Sequence, residues 1–286
     1  MQVLIIGKNS YIGNNIDLWL TKHGHQVTQL DVLTEIWKSF DYSKYNAIVH
    51  VAGIVHQPNC KDWELYKRVN TDMPIEIATM AKEQGVSQYV YFSTMGVFGL
   101  GKKLKPNIID MNTPLKADGM YGRSKLMAEE GLMVLNDENF SVACVRPPSV
   151  YGKGCKGGYI TGFTSIAKKM PVIPIAYENV KQSFIYIDNL TELVRLLMEK
   201  KLSGIFCPQD EKAVNANELL YAIAKGIGKK YRSSRTLGFC VKMLNFIPLV
   251  KKAYGGIEYA ESLSTIKDVD YVVVPFEEGI KRTVIL

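Results

Sequence analysis

The chain is predicted to fold as an α/β protein, a doubly wound parallel sheet with helices on both faces, carrying a small, mostly helical C-terminal lobe. Three observations predict it. Short apolar runs alternate with stretches of helical periodicity through the first 150 residues or so, the pattern of strands joined by crossover helices. A turn holding Gly7 and Gly13 separates the first run from the first helix. After Arg146-Pro147-Pro148 the texture shifts to a glycine-rich loop (Gly152, Gly154, Gly157, Gly158), then to prolines 171 and 174, and about 205–265 reads as mostly helical.

In order, Val3–Ile6 is a β-branched and leucine run that ends on Gly7-Lys8-Asn9-Ser10. Residues 11–23 place Ile12, Ile16, Trp19 and Leu20 on one helical face, and Gly24 stops them. Gln26–Leu30 is the next strand, closing on Asp31. Ala47–Val51 reads as a buried strand, 62–84 as a helix, Gln88–Phe92 as a strand, 115–135 as a helix and Phe140–Val145 as a strand. Ser183–Ile187 and a helix over 189–200 read as a return to the sheet. The expected division is therefore a Rossmann-type domain over 1–150, completed by about 183–203, with 151–182 and 204–286 forming a discontinuous substrate-binding lobe.

Composition excludes several classes. Of 286 residues 47% are apolar and 22% charged, which removes disordered and collagen-like chains. No apolar run approaches the ~20 residues of a membrane-spanning helix, and Met1 leads into Val3–Ile6 without the basic flank of a signal peptide. Five dispersed cysteines (Cys60, Cys144, Cys155, Cys207, Cys240) argue against a disulfide framework and fit a reducing cytoplasm. His23, His25, His50 and His56 never stand at metal-ligand spacing from a thiol or carboxylate, so no metal is expected. The net charge of +7 is local: eight Lys or Arg and no acidic residue lie between Glu218 and Glu258. That 219–257 segment reads either as a solvated helical face or as a face for phosphate, membrane surface or an acidic partner. It lacks interleaved stacking aromatics, so nucleic acid is not expected as a partner. Within it, Leu237–Val250 is apolar between lysines; a core helix of the lobe is the default reading, a membrane-surface helix the other.

Two constellations carry chemistry. The first is Gly7-x-x-Ser10-x-x-Gly13 between strand and helix, where small residues let the backbone approach a pyrophosphate seated on the helix N-terminus. The Ser10 hydroxyl is expected to bond a phosphate oxygen. Asp31, at the end of the second strand, is placed to accept ribose hydroxyls and to repel a 2′-phosphate, favouring NAD over NADP. The second is Tyr121-Gly122-Arg123-Ser124-Lys125, preceded by Ser93-Thr94 at a strand end. Tyr121 and Lys125 are one helical turn apart, so an ammonium beside the phenol is expected to lower its pKa for acid–base work, with Thr94 holding the same substrate oxygen. Gly152–Gly158 is not a P-loop, since it lacks the closing G-K-[ST].

With these in place the chain resembles the extended short-chain dehydrogenase/reductases, the NAD-dependent epimerase/dehydratase family that acts on nucleotide sugars. The carriers are GKNSYIG (7–13), HVAG (50–53), Asn70 in RVN, FSTMGVFG (92–99), YGRSK (121–125), RPPSVYG (146–152) and SFIYIDNL (183–190). The resemblance implies catalytic roles for Thr94, Tyr121 and Lys125. It implies an NAD site built from Gly7, Ser10, Tyr11, Ile12, Gly13, Asp31, Val51, Ala52, Gly53, Asn70, Tyr121 and Lys125. Thr94, Met95 and Lys181 would meet the substrate, a UDP-sugar. Within the family the nearest likeness is to bacterial UDP-4-keto-6-deoxy-N-acetylhexosamine 4-reductases, with UDP-hexose 4-epimerases the alternative and a non-catalytic NAD-binding scaffold behind both.

Three departures matter. The Asp-Glu pair of 4,6-dehydratases is replaced by Met95-Gly96, which removes the acid and base that water elimination needs. A pyrophosphate-binding Arg is replaced by Lys181, and a second is absent from 262–266. Arg232 or Arg235 could substitute. Relatives pair through a two-helix face, so a homodimer through 62–84 and 115–135 is expected.

Overall fold

The computed structural model describes residues 1–55, 62–156 and 158–285. Cys60, His56 and Gly157, all noted above, lie outside the described residues. Six parallel strands form the sheet: β1 (Gln2–Ile6), β2 (Gln26–Leu30), β3 (Ala47–His50), β4 (Gln88–Phe92), then Ser141–Val145 and Gly204–Phe206. Their spatial order is β2-β1-β3-β4, then 141–145 and 204–206. The chain therefore steps from β1 to β2 on one side and crosses back to β3 on the other, which puts the switch point of the sheet beside Gly7.

The two faces follow from strand alternation. Val3 and Ile5 join Ile16 and Leu20 of α1 (Tyr11–Lys22) and Leu190–Leu197 of the helix Ile187–Glu199. Leu4 and Ile6 face the other way, onto Ile77 of α3 (Met73–Glu83) and Ala128 and Leu132 of α4 (Gly119–Met133). Both faces being covered, β1 is buried from Val3 to Ile6, as parallel sheets require. The predicted 62–84 helix is real but not uniform. It runs as α2 (Trp63–Lys67), a π-turn over Arg68–Asp72, and α3. Pro74, four residues on, has no N–H to offer the Asn70 carbonyl, which accepts instead from Tyr91 Oη at 2.8 Å.

Two expectations are corrected here. Ser183–Ile187 does not return to the six-stranded sheet: Phe184–Tyr186 pairs in parallel with Ser149–Tyr151 in a separate ribbon. What returns is the following helix and then Gly204–Phe206, pairing with Ala143–Val145 just beyond the expected 183–203 completion. The ribbon is anchored by buried Asp210, whose carboxylate accepts from Tyr151 Oη (2.7 Å), Tyr186 N (2.9 Å) and Asn189 Nδ2 (2.8 Å). Burial pushes that carboxyl up to about 6, the three donors pulling against it.

Leu237–Val250 is not a core helix of the lobe. It divides into Arg235–Met243 and Pro248–Tyr254, Pro248 opening the second helix, and only Gly238 of the first is buried. The lobe's apolar core comes instead from Tyr159–Lys169, Ala216–Gly226 and Phe276–Val284 packed around Phe184 and Tyr186.

Candidate active site

Along the carboxyl edge of the sheet, the predicted cofactor residues form one track. Gly7 has φ +120°, and a Cβ there would come within 2.9 Å of Ala52 N. Only glycine lets the β1 turn lie this close to the strand end at Val51-Ala52. A Cβ on Gly13 would fall 2.5 Å from Ser10 Oγ. Farther along, a Cβ on Gly53 would sit 3.0 Å from both Lys125 Nζ and Asn70 Oδ1. The backbone path from Gly7 through Val51, Ala52 and Gly53 thus ends against the Lys125 ammonium. Ser10 caps α1, its Oγ accepting from Gly13 N (3.0 Å) and donating to the Gly7 carbonyl (3.0 Å). The hydroxyl proton expected for a phosphate is therefore spent inside the turn. The N–H groups of Tyr11 and Ile12, first in the helix and without intrahelical acceptors, remain to receive an anion.

Tyr11 contributes through its backbone. Its ring turns away under the 152 loop, where a Cβ on Gly152 would lie 2.5 Å from Tyr11 Oη. Asp31 follows Leu30, whose carbonyl accepts from Gly7 N at 3.0 Å, so its exposed carboxylate stands at the same end of the sheet and caps Leu33 N at 2.9 Å. A dinucleotide fits these features: a glycine-only approach for its pyrophosphate, free amides at a helix start, and a carboxylate at the end of β2 for its ribose.

Asn70 is engaged within the chain. Its amide is fully used, Oδ1 accepting from Ile54 N (2.8 Å) and Nδ2 donating to Ile54 O (2.9 Å) and Ser124 Oγ (3.1 Å). It ties the 51–55 loop to the YGRSK turn of α4.

The catalytic candidates are brought together by close backbone approach. Thr94 lies two residues past β4 and caps a short 3₁₀ turn, Met95–Phe98, its Oγ1 accepting from Gly96 N at 3.1 Å. A Cβ on Gly122 would lie 2.9 Å from the Gly96 carbonyl, so glycine beside Tyr121 is what lets α4 close on this turn. Tyr121 stands close enough to Thr94 for that hydroxyl to favour the ionised phenol. Lys125 is buried, donating to the Phe92 carbonyl at 2.8 Å over the Tyr91 ring.

The electrostatics correct one expectation. Burial raises the Tyr121 pKa, the Thr94 hydroxyl opposing it only in part. Burial likewise pushes Lys125 down to about 7, Glu129 pulling the other way. Lys125 sheds its proton before the phenol would, so it offers Tyr121 less positive charge than the helical spacing predicts.

Beside Thr94 and Met95 opens a cleft of about 250 Å³, walled by Gly96, Leu100, Ile109, Pro147, Pro148, Ser149 and Ile257. Lys181 does not line it. It is exposed on the short strand Lys181–Gln182, with Glu258 as a charged neighbour. Its neighbour Gln182 stands behind the cleft wall, donating to Ser149 Oγ at 3.0 Å and accepting from Lys102 Nζ at 2.5 Å.

Lys102 was not singled out from sequence, since an isolated lysine in a loop has no signature. Here it lies 3.5 Å from the Tyr159 ring centre, and burial together with Lys252 pushes it down to about 7. Arg232 and Arg235 lie exposed beside the 235–243 helix and line neither track nor cleft. His50 is buried and neutral, bonded to Tyr89 Oη at 2.6 Å. Among the described residues no cluster of three or more His, Cys, Asp or Glu could hold a metal.

Comparison with known proteins agrees with this geometry. Residues 3–206 match the model of the NAD dependent epimerase/dehydratase family. The chain is 25% identical over 292 residues to a UDP-glucose 4-epimerase of Vibrio cholerae, covering 94% of this chain and 87% of the relative. It is 24% identical over 222 residues to a UDP-2-acetamido-2,6-beta-L-arabino-hexul-4-ose reductase of Pseudomonas aeruginosa, covering 74% of this chain and 53% of that protein. Among solved structures it is similar to Bordetella bronchiseptica WbmG in complex with NAD and UDP (TM-score 0.70, 18% identity, 97% and 91% of the two chains covered). From the glycine track to the Thr94–Tyr121–Lys125 cluster, and over more than half its length, this chain belongs to the NAD-dependent epimerase/dehydratase family.

Proposed function

We propose that the protein reduces the 4-keto group of a UDP-sugar with NADH, in the supply of precursors for cell-surface polysaccharide. The observation that carries this reading is the Tyr121 phenol, kept protonated by burial, beside Thr94, which lines the cleft. In reduction that phenol must give a proton, which is the state in which burial leaves it; in the oxidative half of an epimerase it must first take one. Bound NADH supplies the hydride that becomes the C4 hydrogen. Thr94 Oγ1 already accepts from Gly96 N, so its own proton is the one it offers to the substrate oxygen. Tyr121 delivers its proton to that oxygen as the C–O double bond becomes a single bond, and the product is the 4-alcohol. The phenolate left behind raises the proton affinity of Lys125, which takes up a proton from solvent and stabilises it.

Similarity to a 4-keto sugar reductase supports the reading. Similarity to a UDP-glucose 4-epimerase supports the second one, UDP-hexose 4-epimerisation by the same three residues. Dehydration is disfavoured by either, because Met95 and Gly96 offer neither acid nor base. Neither Lys181, exposed on its strand, nor Lys102, bonded to Gln182, lines the cleft; each is a diphosphate contact only for a substrate that extends beyond it.

The deciding experiment follows NADH oxidation with UDP-4-keto-6-deoxy-N-acetylhexosamine, parent against Tyr121→Phe. Stoichiometric oxidation that vanishes in the variant establishes the reductase. C4 inversion of UDP-hexoses with catalytic NAD and no net NADH loss replaces it with the epimerase. NAD binding with neither activity leaves the scaffold.

A further inference from the structure

The segment Arg232–Tyr254 is built unlike the rest of the chain. Its two helices and the turn between them carry Leu237, Phe239, Met243, Leu244, Phe246 and Leu249 on the surface, with Phe246 76%, Leu249 68% and Phe239 and Met243 each 64% exposed. Single exposed apolar side chains are ordinary on a soluble protein, but six within thirteen consecutive residues are not. The hairpin is fixed from beneath rather than left loose. Arg232–Ser234 pairs with Val172–Pro174, Ser234 Oγ caps Leu237 N at 3.2 Å, and Gly238 lies so close to Ile175 that no side chain would fit there. The apolar residues are thus held outward by an anchored backbone.

The charge around them has one sign. Lys230, Arg232, Arg235, Lys242, Lys251 and Lys252 form no ion pair among the described residues, whereas Lys225 is paired with Glu277. Glu178, exposed on the adjoining loop where Tyr177 Oη meets the Lys242 carbonyl, sets one negative charge against the six.

We propose that this hairpin is a membrane-docking surface that seats the protein on an anionic lipid bilayer. Phe239, Met243, Phe246 and Leu249 enter the boundary between headgroups and acyl chains, and the lysines and arginines lie among the lipid phosphates. Apolar insertion and electrostatic attraction acting together is the way monotopic helices bind. No helix among the described residues is long and apolar enough to cross a membrane, so the contact is peripheral. An acidic soluble protein would satisfy the charges but leave the aromatic and aliphatic tips in water. A lipid surface takes both.

The test is co-sedimentation of the full chain with vesicles of phosphatidylglycerol and phosphatidylcholine, against vesicles of phosphatidylcholine alone. The parent is expected to bind the anionic vesicles, with affinity falling as salt rises. Phe246→Ser/Leu249→Ser and Lys242→Glu/Lys251→Glu should each weaken binding roughly tenfold or more, with NADH affinity unchanged as evidence of folding. Absence of binding at low salt overturns the proposal. So does loss in the charge variant alone, which describes adsorption without insertion. So does a dimer in sedimentation equilibrium that Phe246→Ser/Leu249→Ser dissociates while the parent ignores vesicles, because the face is then a subunit interface.

Discussion

The Thr94–Tyr121–Lys125 corner and the 232–254 hairpin lie in one chain but follow opposite rules. At the corner, nearly every polar group is spent on another. Asn70 uses its whole amide, Ser124 donates to the Tyr121 carbonyl while its own carbonyl takes Thr71, and Lys125 is pinned to Phe92. At the hairpin, large apolar groups meet water and cations go unpaired. A dense buried network costs freedom and yields fixed geometry, which proton transfer over hydrogen-bond distances demands. An exposed apolar face contributes almost nothing to the fold, so it persists at no structural cost and is available for a partner. The difference separates residues that hold a site from residues that meet something outside the chain.

Substitutions can break that contrast, and the largest effect belongs to the corner. Tyr121→Phe removes the transferable proton and is expected to lower kcat by about 10²–10⁴-fold while leaving NADH affinity intact; a variant that keeps parental turnover would remove Tyr121 from the chemistry. Gly122→Ala places a methyl where the Gly96 carbonyl lies 2.9 Å away, pushing α4 off the Thr94 turn. A shift of this kind should cost on the order of 10²-fold in kcat with little change in far-UV circular dichroism.

Asn70→Ala leaves the part-buried Ile54 N–H and carbonyl without their partner and takes one donor from Ser124 Oγ, and urea unfolding should report a loss of about 1–3 kcal/mol. Full parental stability would mean that the loop is held by something other than this amide.

The pH dependence sharpens the same point. Lys125 titrates near its ordinary 10.5 when unfolded and near 7 when folded. Between those values the unfolded chain holds the extra proton, so stability contributed through this residue rises with pH, and the cost of the buried ammonium is fully present below about pH 7. Thermal melts of parent and Lys125→Met should therefore diverge with pH, the parent gaining on the variant from pH 7 toward pH 10. A constant gap would mean that Lys125 is charged throughout. The smallest effect belongs to the hairpin: Phe246→Ser should change unfolding free energy by less than about 0.5 kcal/mol, because Phe246 is 76% exposed.

What was legible in the sequence was what neighbouring residues encode by themselves. Val3–Ile6 followed by Gly7 and the Ser10 cap, and Tyr121 one turn before Lys125, announced the sheet, its glycine turn and the juxtaposed phenol and amine, because periodicity, turn chemistry and helical spacing act over a few residues. Tertiary structure alone decided the rest. It spent the Ser10 hydroxyl inside the turn and made Asn70 a tie between loop and helix, since their partners, Gly7, Ile54 and Ser124, are chosen by packing. It paired Phe184–Tyr186 with Ser149–Tyr151 instead of the main sheet, and brought Lys102 to Gln182 across 80 positions of chain. It also set both lysine pKa values by burial, a property no local motif records, and turned Leu237–Leu249 outward, where an apolar sequence alone reads as core.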